Sequence, residues 1–169
     1  MASHFGIAEA IKSMAGRMDQ SREKSELDVP SLSVARCTVC VVDDDFSLRR
    51  ALRRLIAAAG FSVDTFESAE AFLSAHGADV GCLVLDVSLG SLSAFEVYDR
   101  LVASGRWVPV IFITGHDTPS NQERARAAGA LAYLVKPFDE APLLDAIRRA
   151  MERSVSVLRR RHGGLSRAS

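Results

Sequence analysis

The sequence predicts an α/β fold, a parallel sheet wound with helices on both faces. Three observations lead there. Five β-patterned runs alternate with five helix-patterned ones between Arg36 and Arg153, and regular βα alternation is the pattern of a doubly wound sheet. The runs at 37–42, 82–87 and 108–114 are continuously apolar, as strands are when helices cover both of their faces. Acidic, hydroxyl and basic residues stand at the carboxyl ends of these runs, the edge where open α/β sheets gather their working groups.

Each element has a local reason. Cys37–Val42 is a short run of β-formers that stops at three consecutive Asp. Ser47 is the expected cap of a helix whose apolar face is Leu48, Leu52, Leu55 and Ile56 and which Gly60 ends. Phe61–Phe66 alternates and is more polar, so it is a strand nearer an edge. Ser68 opens a short helix through Ala75, with Gly77 after it. Cys82–Val87 is a strongly apolar strand that ends on Asp86. Ser93 and Glu96 form a capping box that opens a helix to about Ala103. Val108–Thr114 is the most apolar strand. Thr118, with Pro119 at the first helical position, starts a fourth helix closed by Gly129. Leu131–Val135 is the fifth strand, and Asp139 caps a last helix that runs to about Arg153 or beyond.

Composition sets bounds on the function. A chain of 169 residues, 48% of them apolar, suits one domain with one core. Lys plus Arg equals Asp plus Glu at 21 each, which argues against binding nucleic acid through net charge. No run of about 18 or more apolar residues is present, so no membrane-spanning helix is expected. The N-terminus lacks the charged, apolar, small-residue order of a signal peptide, and the expected location is cytoplasmic. Cys37 and Cys40 have the spacing of a redox pair or half a zinc site. Residues three apart on a strand point to opposite faces, however, and no second pair completes a metal site. With Cys82 they are read as strand residues. Residues 1–35 stand apart as an extension. Ile7, Ile11, Met14 and Met18 fall at helical spacing, and 19–33 mixes charge, Ser and Pro30 as a linker does.

The chemistry is read from the strand ends alone. The first strand ends in Asp43, Asp44 and Asp45, the third in Asp86, the fourth in Thr114 and Gly115, and the fifth in Lys136 and Pro137. Clustered carboxylates repel one another unless a cation joins them, and hard oxygen ligands select Mg2+ or Mn2+. Carboxylates, a hydroxyl and an ammonium together suit one task, holding a phosphoryl group on a carboxylate. An Asp attacks phosphorus as the nucleophile. The metal and Lys136 neutralise the phosphoryl oxygens while the hydroxyl donates to them.

The segments VVDDDFSLRRALRRLIAAAGF, ESAEAFL, CLVLDVSLGSLSAFEV, VPVIFITGH and GALAYLVKPF resemble the response-regulator receiver family, CheY-like in fold, and within it the FixJ-like branch. The resemblance covers 36–153. It implies a flavodoxin-like (βα)5 sheet in the strand order 2-1-3-4-5. It also implies that Asp86 is the phosphoacceptor and that Asp43 and Asp44 are the acidic pair. Asp44 would then ligate the metal directly and Asp43 largely through water, with the Ser88 backbone carbonyl as a further ligand. Thr114 then corresponds to the switch hydroxyl, Lys136 to the phosphoryl-binding cation and Tyr133 to the aromatic switch, which turns inward as Thr114 moves to the phosphoryl group. Lys136–Pro137 corresponds to the family's cis peptide. Ser88 and His116 fall at the positions that tune water attack.

Two positions depart from the family pattern: Gly90 stands where a Pro is usual and Ala94 where a Gly is usual. They put the geometry of the loop after Asp86 in question, and Ala94 must avoid positive φ. The residues after Arg153 extend the last helix through Val155, Val157 and Leu158 and end in the basic run Arg159–Arg161. The expectation is a stand-alone receiver without an output domain, which catalyses only its own phosphorylation and dephosphorylation and either signals through protein contacts or acts as a phosphate sink. Its partners would be a sensor or hybrid histidine kinase and a downstream protein, with no membrane and no sequence-specific DNA. A homodimer through the fourth and fifth helices remains open. A phosphorylation-independent adaptor on the same fold is the alternative. A dehalogenase-like phosphatase fits less well: Asp43, Asp45 and Ser47 match its nucleophile spacing in part, and Asp86 would go unused.

Overall fold

The structure, a computed structural model, describes residues 37–75, 80–90 and 92–163. The expected N-terminal helix at 7–18, the linker at 19–33 and Gly77 lie outside the described residues, as do the side chains of Leu158, Arg159 and Arg161. The elements alternate as β1 (Thr38–Val42), α1 (Phe46–Ala58), β2 (Val63–Phe66), α2 (Ala69–Ala75), β3 (Val80–Asp86), α3 (Ala94–Ala103), β4 (Val110–Thr114), α4 (Pro119–Ala127), β5 (Ala132–Val135) and α5 (Glu140–Gly163). All strand pairs are parallel, in the order β2-β1-β3-β4-β5. This is the predicted flavodoxin-like sheet, with the more polar β2 at an edge.

Period-two alternation along the strands divides the interior in two. Val39, Val41, Cys82, Val84, Ile111 and Ile113 point to one face, where they pack with Leu52 and Ile56 of α1 and Leu143, Ala146, Ile147 and Ala150 of α5. Cys40, Val42, Leu83, Leu85, Val110 and Phe112 point to the other, under Phe72 of α2, Phe95, Tyr98 and Leu101 of α3, and Ala125 of α4. Burying a side chain of this size fully contributes about 1.5–3 kcal/mol, so both layers hold the sheet between helices. On the second face the Phe95 and Phe112 ring centroids lie 4.7 Å apart, and Tyr98 meets Phe112 edge-on at 6.2 Å. The Tyr98 hydroxyl donates to the Val108 carbonyl, which satisfies its buried polar end.

Most helix ends follow the sequence signals. The Ser93–Glu96 capping box forms, and Thr118 caps α4 with Pro119 behind it. Ser68 Oγ accepts from the Ala71 N–H, and Gly60 and Gly129 take positive φ after α1 and α4. One expectation is corrected. Ser47 does not cap α1; Asp45 does, its Oδ1 accepting from the N–H groups of Ser47 and Leu48. A carboxylate one residue before the helix both satisfies open donors and meets the positive end of the helix dipole. The last helix also continues past Arg153 to Gly163. Ser154 holds this extra length on the sheet by donating to the Gly81 carbonyl at 2.6 Å. Among the described residues no helix is long and apolar enough to cross a membrane.

Gly81 lies where α5 and the start of β1 close on β3. A Cβ there would collide with the Cys37 Cβ and come within 2.8 Å of the Met151 Sδ. Gly81→Ala is expected to lower stability by about 1–3 kcal/mol, the usual range for overpacking, measured by urea unfolding with an unchanged m-value. The three cysteines form no disulfide and are buried. Burial pushes the Cys40 thiol up to about 12 and the Cys82 thiol higher still. With so little thiolate present, alkylation of Cys40 and Cys82 by iodoacetamide at pH 8 is expected to be negligible in the native protein and rapid in urea, read by intact mass.

Candidate functional site

The strand register builds the site. Val42 of β1 pairs with Leu85 of β3, so Asp43 and Asp86 stand level on neighbouring strands. Asp86 pairs with Ile113, which leaves Thr114 one residue further along. Thr114 pairs with Val135, so Lys136 follows directly at the end of β5. Backbone bonds extend the ladders past the strands: Asp43 N–H donates to Phe66 O, Val87 N–H to Ile113 O and Lys136 N–H to Thr114 O. Four residues far apart in sequence therefore reach one edge without a long loop.

Asp43 is fully buried and Asp86 nearly so, whereas Asp44 is exposed. One ligand oxygen from each of the three lies within 4.8 Å of the others. Lys136 Nζ donates to Asp43 Oδ2 at 2.7 Å and stands 3.3 Å from Asp86 Oδ1. The Asp45 N–H donates to the remaining Asp43 oxygen at 2.8 Å. Asp43 is thus satisfied on both oxygens. Asp86 Oδ1 is buried with an ion-pair neighbour but no aligned hydrogen bond among the described residues.

The charges respond to this arrangement. Burial raises the Asp86 pKa above the ordinary carboxylate value. The Lys136 charge opposes that rise, the Asp43 charge adds to it, and the close approach of Lys136 and the Ser88 backbone pulls it down again. For Lys136 burial disfavours the ammonium, but its hydrogen bond to Asp43 and the charges of Asp86 and Asp43 outweigh burial and hold its pKa above the usual. Three carboxylates against one ammonium leave two formal negative charges uncompensated. A divalent cation fits that deficit, the all-oxygen donor set favours a hard ion such as Mg2+ or Mn2+, and the unaligned Asp86 oxygen is available to it.

The remaining expected residues stand around this core. Thr114 is fully buried, and its hydroxyl is engaged with His116: Oγ1 donates to the His116 carbonyl and accepts from the His116 N–H, both at 3.0 Å. The structure therefore does not bring the hydroxyl into a bond with a carboxylate. The His116 and Ser88 side chains are exposed at the same edge. The Tyr133 hydroxyl is already buried, with no aligned hydrogen bond among the described residues. Burial raises its pKa, and nearby Asp117 adds to the rise. The Lys136–Pro137 peptide is cis. Gly90 has φ +54°, in the left-handed region that the ring of a proline forbids. Ala94 is the first residue of α3, so its helical backbone avoids the positive φ that would strain it. Asp45, the second acid of the phosphatase-like pattern, is spent on capping α1.

Sequence reasoning missed Arg49, whose guanidinium donates to the Asp43 carbonyl at 2.8 Å. It also missed the capping role of Asp45, which the sequence reading placed only in the acidic end of the first strand and in the phosphatase-like spacing. The preference of Asp for the residue before a helix was the available signal. Nothing in the spacing of Arg49 marked it out among its neighbours.

Comparison with known proteins gives a consistent result. The family profile of the response regulator receiver domain matches residues 39–148. Nodulation protein W of Bradyrhizobium diazoefficiens is 38% identical over 141 residues, 83% of this chain and 60% of that protein. Response regulator protein TmoT of Ectopseudomonas mendocina is 40% identical over 68% of this chain and 52% of its own length. Transcriptional regulatory protein FixJ of Azorhizobium caulinodans is 38% identical over 69% and 56%. The chain thus spans about half of the curated relatives it matches, or somewhat more. Among solved structures, response regulator StyR superposes with a TM-score of 0.71 at 39% identity, covering 76% of this chain and 66% of that one. Chemotaxis protein CheY4 of Vibrio cholerae superposes with 0.61 at 26% identity, over 68% and 98%.

The buried, under-compensated Asp86 has a measurable cost. Asp86→Asn removes the charge but leaves Lys136 its bond to Asp43, and is expected to raise the Tm measured in EDTA by roughly 2–6 °C, the shift that about 1 kcal/mol produces in a domain of this size. A folded pKa above the unfolded one means that the native state holds the proton more tightly. The wild-type penalty is therefore absent below the ordinary carboxylate pKa of about 4 and grows as pH rises through the folded value. The Tm gap between variant and wild type should widen in that direction in a pH series.

Proposed function

The chain belongs to the response regulator receiver family, and on that premise we propose that Asp86 accepts a phosphoryl group from the phosphohistidine of a sensor histidine kinase. The observation that carries the reading is the convergence of Asp43, Asp44, Asp86 and Lys136 from three strand ends, with the ligand oxygens within 4.8 Å of one another and Lys136 between Asp43 and Asp86. An Asp86 oxygen attacks phosphorus; the P–N bond to the kinase imidazole breaks, and its electron pair stays on the ring nitrogen. Asp43, Asp44, Asp86 and the Ser88 carbonyl would hold Mg2+, which supplies charge neutralisation at the phosphoryl oxygens. Lys136 is held close enough to Asp86 to neutralise a phosphoryl oxygen as it forms.

The switch follows from the same residues. Phosphorylation adds nearly two negative charges beside Thr114. Thr114 Oγ1 exchanges its bonds with the His116 backbone for a phosphoryl oxygen, which shifts the β4–α4 loop. The Tyr133 hydroxyl, already buried, lies against Thr114, Asp117 and Thr118 and follows that shift rather than entering from outside. A groove lined by Gln122, Ala125, Arg126, Ala130, Ala132 and Tyr133 lies between α4 and β5. In the proposal the downstream protein reads this face and shifts the population between the two states. His116 and Ser88 flank the acceptor and set how readily water reaches the phosphoryl group.

Gly90 favours a second reading. Its left-handed backbone replaces the stiff turn that a proline gives the family's loop, and a phosphorylation-independent adaptor does not need that stiffness. One experiment separates the two. Incubation with acetyl phosphate and Mg2+ is expected to add one phosphoryl group by intact mass, and the gain should vanish in Asp86→Asn and in EDTA. No gain from acetyl phosphate or from any histidine kinase would select the adaptor.

A further inference from the structure

α1 carries four arginines, Arg49, Arg50, Arg53 and Arg54. The last three are exposed and make no ion pair among the described residues. Arg49 differs. It is half-buried, its guanidinium donates to the backbone carbonyl of Asp43 at 2.8 Å, and its Cζ stands 5.8 Å from the Phe46 ring centroid. Its choice of partner is informative. Three carboxylates occupy the adjoining loop, yet the guanidinium pairs with none of them and is spent on a peptide oxygen.

The rest of the loop shows what that bond completes. The Asp43 N–H is held by Phe66 O of β2. The Asp43 carboxylate is held by the Asp45 N–H and by Lys136. The Asp45 carboxylate is fixed as the cap of α1, and its carbonyl accepts from the Arg49 N–H at 3.0 Å. Without Arg49 the Asp43 carbonyl, where the chain leaves the sheet, has no side-chain anchor. With it, the residues on both sides of Asp44 are pinned, while Asp44 itself stays exposed and takes part in no ion pair among the described residues. A guanidinium bound to a carboxylate here would compete with a cation. Bound to the carbonyl, it orders the loop and leaves the ligand oxygens open.

We infer that Arg49 is a positioning residue of the metal site, bracing the Asp43–Asp45 backbone so that Asp44 is presented to the cation shared with Asp43 and Asp86. This rests on the metal-dependent phosphoacceptor reading above. Partners that orient metal ligands from behind commonly change affinity by about tenfold or more when removed. The sign of the effect separates the brace from simple charge. A fixed positive charge near the carboxylates repels a second cation, so by Coulomb's law alone its removal tightens metal binding. Loss of a brace weakens it.

The test is a Mn2+ titration followed by electron paramagnetic resonance of the free ion. The proteins are the full chain, Arg49→Met (which keeps the aliphatic stem), Arg49→Lys, Arg50→Met and Asp44→Asn. Arg49→Met is expected to bind Mn2+ about tenfold more weakly, Arg49→Lys to fall between it and wild type, and Arg50→Met to match wild type, all with native circular dichroism. In acetyl phosphate labelling, half-saturating Mg2+ should rise for Arg49→Met while the rate at saturating Mg2+ is retained. Mn2+ bound by Arg49→Met as tightly as by wild type, or more tightly, would overturn the inference; if that variant does not fold, Arg49→Lys decides by the same comparison. A wild type that binds no more Mn2+ than Asp44→Asn would refute the metal-site reading itself, a failure recognised before any Arg49 variant is compared.

Discussion

The carboxyl edge of this sheet is organised by one electrostatic conflict, the burial of Asp43 and Asp86 side by side on β1 and β3. Their level positions follow from the register of two apolar strands, so the conflict cannot be relieved by sliding one strand without turning its whole apolar set to the wrong face. Two neighbouring carboxylates out of water demand a cation. Among the described residues one ammonium answers it, Lys136, from the end of β5 at the far edge of the sheet. Register carried through β3, β4 and β5 brings that charge to the same edge as the two carboxylates.

The compensation is left incomplete, and the incompleteness is useful. Lys136 satisfies Asp43 with an aligned bond but approaches Asp86 without one. Burial therefore keeps Asp86 a reluctant anion, while Asp44 adds a further charge at the solvent side. A second lysine would leave one formal negative charge instead of two, and a weaker attraction for a divalent ion. Asp43 is better read as the fixed member, anchored by Lys136, the Asp45 N–H and, through its carbonyl, Arg49. Asp86 and Asp44 are the members with oxygens still to give.

Much of this was legible in the sequence, for reasons that can be named. The strands announce themselves because burial on both faces leaves no polar residue to interrupt them, and the edge strand β2 betrays itself by Asp64 and Thr65. The Ser93–Glu96 box, Thr118–Pro119 and the glycines after α1 and α4 are local codes that tertiary contacts do not override. The acidic and basic strand ends stand out by their conjunction: each alone is an ordinary cap or turn residue, but Asp43, Asp44, Asp86, Thr114 and Lys136 fall together at the ends of four strands. What stayed hidden was set by packing at a distance or by competing uses of one residue type. Ser47 and Asp45 both suit a cap, and only the backbone geometry decides between them. The extension of α5 past Arg153 was legible, but the bond from Ser154 to the Gly81 carbonyl, 73 residues away in sequence, was not. Arg49 looks like its three neighbours until the helix is rotated into place.

The same physics explains why Thr114 and Tyr133 are visible in the sequence as residue types but not as states. Thr114 is apolar enough in shape to continue β4 and polar enough to need a partner once buried. The His116 backbone provides that partner on both sides of the hydroxyl. Those bonds are local, between residues two apart, and neither belongs to the ladders of the sheet. Tyr133 is the complementary case. Its ring packs with the cluster beneath α3 and α4, yet its hydroxyl is buried without an aligned bond, a cost that any rearrangement of Thr114, Asp117 or Thr118 is able to relieve. A satisfied hydroxyl and one without an aligned bond therefore lie next to each other. In the proposed switch a bond from Thr114 to the phosphoryl group would change what the neighbouring Tyr133 hydroxyl meets, and this would couple Asp86 to the α4–β5 face through side chains at the edge rather than through the core.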